Sequence, residues 1–459
     1  MRYKAPRGTQ DILPSKVERW QRLETAARRV MERYGYREIR TPDFEEEDLF
    51  LRTVGEETDI VAKEMYSFTD RKGRRLALRP EGTAPVIRSY IENAMWKERR
   101  LQKLYYLGPM FRYDRPQKGR YRQFHQIGAE AVGSLSPLVD AEVIAMMVAV
   151  LREAGIRRLV LKLNSLGDTT SRASYIKALV KYFRGHEERL CGDCRLRLKK
   201  NPMRILDCKV PSCNELAAGI PAMEEYLSQE AREHYDQVQH WLRVLGVSFE
   251  KDKNLVRGLD YYTRTAFEVH HGELGATVAL GGGGRYDGLV AECGGPDTPG
   301  IGFSLGTERV LLAIEQDKAL RIKFEEDKYV RKAGYYIAWL GDIALKEAFS
   351  LAGFIRKKVR VEMEFEEGSL KSRLRQADRL RLSHAIILGE NELKEEKFLV
   401  RELSTGNQEK MELSHSEEMR NEMVKKLIPY YDAEKKYDKA MDDLSYRTIS
   451  GALSEYDGS

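Results

Sequence analysis

Five arginines stand at positions where a folded chain can aim them at a ligand. Arg112 ends a strand-like run, Arg115 and Arg120 lie in the basic loop Arg115-Pro116-Gln117-Lys118-Gly119-Arg120, and Arg257 precedes Gly258-Leu259-Asp260-Tyr261-Tyr262. Arg309 sits one turn inside a helix that follows Phe303-Ser304-Leu305-Gly306. A guanidinium grips phosphate or carboxylate oxygens through two parallel N–H donors, and it also stacks on an aromatic ring. The chain has no GxxxxGKS/T loop and no GxGxxG after an early strand. A nucleotide bound here would therefore have its phosphates held by side-chain cations, not by a glycine-rich backbone cradle. Any one of these arginines taken alone reads as a solvated surface charge; their place at strand ends and motif edges sets the five apart.

A second group with chemical potential is Cys191-x-x-Cys194 followed by Cys208-x4-Cys213. Four thiolates in two close pairs can make a closed zinc site. The second pair is spaced more loosely than the usual knuckle, so buried free thiols and no metal are the expectation, with zinc as the alternative. Cys293 stands alone and is expected to be a packed thiol.

The elements that must position these residues follow from periodicity and turn signals. A helix is expected from Ser15, as N-cap, to Tyr34, and a short extended run from Tyr36 to Arg40, stopped at Pro42. Short strands fall at Met65–Phe68 and Leu76–Leu78. The runs Tyr105–Tyr113 and Gln123–Glu130 flank the basic loop as an antiparallel hairpin with a long tip. A helix over Asp140–Ala154 and a strand over Leu159–Leu163 lead into a mostly helical stretch, about 171–245, which carries four of the five cysteines and reads as an insertion. Strands return at Thr265–His270 and Ala276–Leu280, before the glycine run Gly281–Gly284, and at Ile301–Leu305, before a helix over Thr307–Gln316. Residues 317–332 read as a charged linker. Beyond them, strands at Tyr335–Leu340, Val359–Phe365, Ala385–Leu388 and Lys397–Leu403 alternate with helices at Ile343–Lys357 and Ser369–Arg381, the order of a small α/β domain with a largely parallel sheet. The polar tail from about Pro429 suggests no function.

The 459 residues favour two to four domains, and the 42% apolar content is enough for real cores. A net charge of +6, from 78 basic and 72 acidic residues, permits a nucleic-acid partner without requiring one. No apolar run approaches the roughly 20 residues of a membrane span, and the opening Met-Arg-Tyr-Lys-Ala-Pro-Arg-Gly lacks the apolar core of a secretory signal. A cytoplasmic protein without membrane association is expected.

Several segments together carry a resemblance. Phe111-Arg112 through Gly119-Arg120-Tyr121-Arg122-Gln123-Phe124-His125-Gln126 to Glu130 resembles motif 2 of class II aminoacyl-tRNA synthetases, Gly300–Arg309 resembles motif 3, and Tyr36–Pro42 resembles motif 1. Arg257-Gly258-Leu259-Asp260-Tyr261-Tyr262 and Gly283-Gly284-Arg285-Tyr286-Asp287 are similar to the two signatures of the histidyl-tRNA synthetase family, and Arg79-Pro80-Glu81-Gly82-Thr83 to its amino-acid loop. The resemblance runs from the first residues to about residue 425. It implies an α+β fold: a class II antiparallel sheet flanked by helices over 1–325, interrupted by the helical insertion, then a C-terminal α/β anticodon-binding domain over 330–428 and a tail over 429–459.

It also implies roles. Glu81, Thr83 and Gln126 would hold the α-amino group of histidine; Glu130 and Tyr262 would bind its two ring nitrogens; Tyr286 would line the pocket. Arg257 would grip the carboxylate and the α-phosphate, Arg112 would stabilise the α-phosphate, and Arg120 would reach the outer phosphates. Phe124 and Arg309 would sandwich the adenine. The implied chemistry is attack of the histidine carboxylate on ATP, with Mg²⁺ accompanying the phosphates, followed by transfer to tRNA(His). The attacking carboxylate is already ionised at neutral pH and needs no protein base; no base for the transfer step is evident, and a structural role for His125 is at least as good a reading. Motif 1 implies a homodimer. Lys118 and Arg120 would meet the acceptor stem, and Lys371, Arg373, Arg375, Arg379 and Arg381 on the C-terminal domain's basic helix are candidates for phosphate contacts, or simply a solvated face. Three other readings fit less of the chain. A histidine-sensing regulatory paralogue would lack the C-terminal domain, a tRNA-binding module fused to a kinase would carry kinase motifs, and another class II synthetase would lack the Arg257–Tyr262 signature.

Overall fold

A computed structural model of the chain describes residues 3–55, 58, 60–117, 119–272, 279–317, 332–414 and 416–427. The chain divides into two compact units, Met1–Leu320 and Arg321–Ser459. The tail at 429–459, Lys118 and most of the expected linker lie outside the described residues. Among the described residues no helix is long and apolar enough to cross a membrane.

Among the described residues, the strands of the first unit are β1 (Arg37–Glu38), β2 (Phe44–Glu46), β3 (Tyr66–Thr69), β4 (Arg75–Leu78), β5 (Gln102–Phe111), β6 (Gln123–Val132), β7 (Leu159–Ser165), β8 (Glu250–Lys251), β9 (Thr263–His271), β10 (Ala279–Arg285) and β11 (Gly300–Gly306). Eight form one sheet in the order β1-β5-β6-β11-β10-β9-β7-β8, and β2-β4-β3 make a small second sheet. Every pair from β5 across to β7 is antiparallel; only the outer pairs β1–β5 and β7–β8 are parallel. The expected hairpin is β5–β6, in register from Gln102 opposite Val132 to Phe111 opposite Gln123.

Helices cover this sheet for sequence reasons. Pro14–Arg33 buries Trp20, Leu23, Ala27, Val30 and Met31 at helical spacing. It packs on Pro137–Glu153 and Thr307–Gln316, and each fully buried side chain of leucine or valine size contributes about 1.5–3 kcal/mol. Ser15 is not its N-cap: Leu13 holds that position and Pro14 begins the helix. Proline's fixed φ and missing N–H suit the first helical residue. The segment between β7 and β8 contains the helices Thr169–Arg184, Gly192–Lys200, Pro211–Ala218 and Gln229–Val244.

The glycine run does not follow a strand; it is one. Gly281–Gly284 lie inside β10, paired on both sides, while residues 276–278 of the expected strand lie outside the described residues. Glycine weakens a strand interior and marks a close approach. A Cβ on Gly282 would stand 2.7 Å from Arg257 Nη1, and one on Gly284 would stand 2.8 Å from the Tyr262 ring.

The second unit contains β12 (Lys332–Trp339), β13 (Val361–Met363), β14 (Leu382–Leu388), β15 (Lys397–Glu402) and β16 (Gln408–Glu412) in the order β13-β12-β14-β15-β16. The pairs β13–β12 and β12–β14 are parallel and the pairs β14–β15 and β15–β16 are antiparallel, so the sheet is mixed and not largely parallel. The period-2 alternation of β12 decides the layering. Tyr335, Ile337 and Trp339 pack with helix Asp342–Ile355, while Tyr336 and Ala338 pack with Ala377 of helix Leu370–Arg379.

Candidate active site

The first part of the site is a buried carboxylate surrounded by hydroxyls. Glu130 sits on β6 opposite Gly302 of β11, and a Cβ at Gly302 would collide with its Oε2. Thr83 Oγ1 donates to Glu130 Oε1 at 2.8 Å, Tyr286 Oη to Oε2 at 2.6 Å, and Tyr106 Oη to Oε1 at 3.4 Å. Burial pushes the Glu130 carboxyl up to about 8, and the neighbouring charge of Glu81 adds to the rise that the hydroxyls oppose. Burial also drives the Tyr106 and Tyr286 hydroxyls well above their ordinary value, so both remain neutral donors.

Glu81 lies beside this group and is itself buried. It accepts the backbone N–H groups of Thr83 (2.6 Å) and Ala84 (2.8 Å), which open the helix Thr83–Glu92. Those bonds fix the carboxylate and offset part of the burial that raises it. Tyr261 packs on Tyr262 (ring centroids 4.6 Å) and edge-on to Tyr286 (5.9 Å). Among the described residues, Gln126 Oε1 and Arg257 Nε are buried with no hydrogen-bond partner, an arrangement that costs free energy.

Arg257 is held from the other side. Its Nη1 donates to Glu268 Oε1 at 2.5 Å, and its guanidinium lies 5.5 Å from the Tyr262 ring centre. Burial alone would lower its affinity for the proton; the Glu268 carboxylate, with the Tyr262 and Tyr261 hydroxyls, together more than offset this. Glu268 also accepts from His270 Nε2 at 3.1 Å. Sequence reasoning missed both residues, although their β9 alternation with buried Phe267 and Val269 was available as a signal.

The remaining cations gather at the base of the hairpin loop. Arg112 donates to Pro80 O (2.8 Å) and lies 5.3 Å from the Phe124 ring centre. Arg120, exposed, pairs with Asp114 at 3.3 Å. Arg309 donates to Ala279 O (3.0 Å). Burial lowers the Arg309 guanidinium, and repulsion from Arg120 and Arg112 lowers it further. Arg309 thus sits where the charges of Arg112 and Arg120 converge, a field that attracts anions. Arg115 is exposed in the loop and joins no such group. His125 is structural: its backbone N–H and Nδ1 both bond Glu308 at 3.0 Å, and Trp20 packs edge-on against its ring.

Some named residues do other work. Arg373 is buried, lies 4.0 Å from the Trp339 ring centre and donates to Glu366 O, so it belongs to the core of the second unit and not to a basic surface. The four cysteines come together, all sulfurs within 4.8 Å of one another.

The chain's likeness to known proteins agrees with this geometry. A family model for histidyl-tRNA synthetase matches residues 8–169 and 211–310, and one for an anticodon binding domain matches 335–422. A histidine–tRNA ligase from Anoxybacillus flavithermus is 48% identical over 417 residues, 90% of this chain and 97% of that protein. The chain belongs to the histidyl-tRNA synthetase family. The Bacillus subtilis histidine–tRNA ligase is likewise 48% identical, over 89% of this chain and 96% of its own length. The crystal structure of the apo Staphylococcus aureus histidyl-tRNA synthetase superposes with a TM-score of 0.76 at 39% identity, covering 93% of this chain and 99% of that one. Membership accounts for the class II sheet and the C-terminal anticodon-binding domain expected from the sequence.

Proposed function

We propose that this chain is an aminoacyl-tRNA ligase that activates histidine with ATP and transfers it to the 3′ end of tRNA(His). The observation that carries the specificity is Glu130, a buried carboxylate served only by hydroxyls and flanked by tyrosines. An imidazole differs from other side chains by two ring nitrogens. A carboxylate on one and the Tyr262 phenol on the other read both, and a site built to hydrogen-bond a group rejects analogues that lack it. In this reading Glu81, Thr83 and Gln126 hold the α-amino group and Tyr286 closes the pocket.

Arg257 orients the substrate carboxylate for in-line attack on the α-phosphorus. Arg112 and Arg257 stabilise the charge that builds on that phosphate, and Arg120 draws the leaving pyrophosphate. Phe124 and Arg309 hold the adenine between them. Mg²⁺ would enter with ATP and neutralise its outer phosphates. No protein base is needed for adenylate formation, because the histidine carboxylate is ionised. In the second step a terminal ribose hydroxyl of tRNA attacks the activated carbonyl and releases AMP. We read residues 1–325 as the catalytic domain, with the insertion at about 171–245, residues 330–428 as the anticodon-binding domain, and the chain as a cytoplasmic homodimer.

The test is ATP–pyrophosphate exchange with each of the twenty amino acids. Exchange with histidine alone is expected. Exchange with another amino acid would overturn the pocket assignment, and histidine binding without exchange would recast the chain as a sensor.

A further inference from the structure

We propose that Cys191, Cys194, Cys208 and Cys213 form a mononuclear structural zinc site inside the helical insertion. The expectation from spacing alone was packed free thiols; the geometry points elsewhere. The four sulfurs lie within 4.8 Å of one another, and Cys191 Sγ is 3.9 Å from Cys208 Sγ. A tetrahedral ion with bonds of about 2.3 Å places its sulfurs about 3.8 Å apart. A disulfide would need about 2.05 Å, and all five cysteines are free. The space between the sulfurs suits one ion and is too small for a multi-iron cluster. Four soft thiolates in a tetrahedral set select zinc among the abundant divalent ions.

The surrounding chain supports thiolates. Cys191 is the N-cap residue of Gly192–Lys200 and Cys194 lies in its first turn, while Cys213 lies in the first turn of Pro211–Ala218. Both helix starts therefore turn their positive ends toward sulfur. The Cys191 N–H donates to Cys213 Sγ at 3.2 Å, the kind of bond that orients a metal ligand. Cys194 and Cys213 are fully buried and Cys208 nearly so. The segment carrying the cysteines consists of two short helices and a turn, Pro202–Asp207. A core this small is one that a metal commonly completes.

The site has a consequence for the active site, which rests on the function proposed above. Between the two cysteine pairs lie Asn201 and Arg204. Asn201 Nδ2 donates to Asp260 Oδ1 at 3.1 Å, and Arg204 Nη2 donates to the same oxygen at 3.0 Å and to Gly258 O at 2.8 Å. The ion would thus pin the segment that braces the loop between Arg257 and Tyr262.

The experiment is elemental analysis of the purified full-length chain after dialysis against metal-free reducing buffer, together with the visible spectrum after exchange into cobalt(II). About one zinc per chain is expected, with the intense d–d absorption of a tetrahedral thiolate site in the cobalt form. Cys194→Ser and Cys213→Ser should lose the stoichiometric metal, and Cys293→Ser should keep it. The cobalt spectrum of the unsubstituted chain carries the test if the serine variants do not fold. Absence of zinc with four reactive thiols, paired disulfides, or iron in place of zinc would each overturn the proposal. Metal content is read without reference to the reaction, so failure of histidine exchange leaves this result standing, and the reverse.

Discussion

Two carboxylates are buried in the first unit and have opposite surroundings. Asp140, on helix Pro137–Glu153, meets a guanidinium and an imidazole: Arg285 Nε at 2.9 Å and Nη2 at 2.8 Å, and His234 Nε2 at 2.9 Å, with Thr265 Oγ1 at 2.6 Å beside them. Although burial opposes it, Arg285 and His234 hold its carboxyl below the usual range. Glu130 meets only hydroxyls, and burial drives it up to about 8. Among the described residues, the first group has its counter-charge, whereas the second has only hydroxyl partners. A carboxylate's partners, more than its burial, separate a structural role from a binding role.

The sharpest way to break this contrast is to neutralise each carboxylate in turn. Asp140→Ala leaves Arg285, itself fully buried, without its main counter-charge. A loss of about 3–5 kcal/mol in unfolding free energy is expected from denaturant titration. A loss under about 1 kcal/mol would mean that Asp287, which pairs with Arg285 at 2.7 Å, suffices alone. Glu130→Gln should do the reverse. It should keep the fold and cut histidine-dependent ATP–pyrophosphate exchange by on the order of 10²–10³, because the transition state loses a buried charged hydrogen bond. Near-normal exchange would remove Glu130 from the pocket.

Arg257→Lys sharpens the comparison from the phosphate side. Lysine keeps the charge next to Glu268 but loses the planar fork, so exchange should fall by on the order of 10-fold while the melting temperature changes little. An equal fall in stability would make Arg257 a structural partner of Glu268 and nothing more.

Much of this arrangement was legible in the sequence, and what was missed has a physical pattern. The hairpin bearing Arg112 and Glu130 followed from strand-like runs around a polar tip, and the tyrosine and arginine signatures lay in contiguous stretches. The Asp140 network did not show, because its partners are 94, 125 and 145 residues away. Glu268 and His270 escaped for a different reason: a polar residue facing inward from a strand alternates with apolar ones just as a solvent-facing residue does. Gly281–Gly284 were read as a run following a strand, because glycine disfavours strands, whereas here they lie within one, crowded by Arg257 and Tyr262. Strand β16 and the helix Glu417–Leu427 carry too few apolar residues to announce themselves.

A further expected effect separates the two carboxylates by pH. Glu130 titrates at about 8 in the folded chain against 4.5 for an ordinary glutamate. Its folded form therefore binds a proton that the unfolded chain has already released, and its contribution to stability is full below about 4.5 and is lost as pH rises through about 8. Asp140 has the opposite sign: its folded value is depressed below 3.8, so its contribution is present above that value and is lost as pH falls through the depressed one. Between pH 5 and 8.5 Glu130 tilts the curve and Asp140 does not, and comparison with Glu130→Gln cancels other shifted groups such as His271 and His384. Glu130→Gln cannot ionise, and its amide can still meet the hydroxyls of Thr83, Tyr106 and Tyr286. Relative to the unsubstituted chain, the variant should gain on the order of 1–3 kcal/mol between those limits, after allowance for relaxation of the hydroxyl shell. Unfolding titrations of both proteins at half-unit steps would measure it. Parallel curves would mean that Glu130 is ionised throughout, and that a cation reaches it in the free protein as one reaches Asp140.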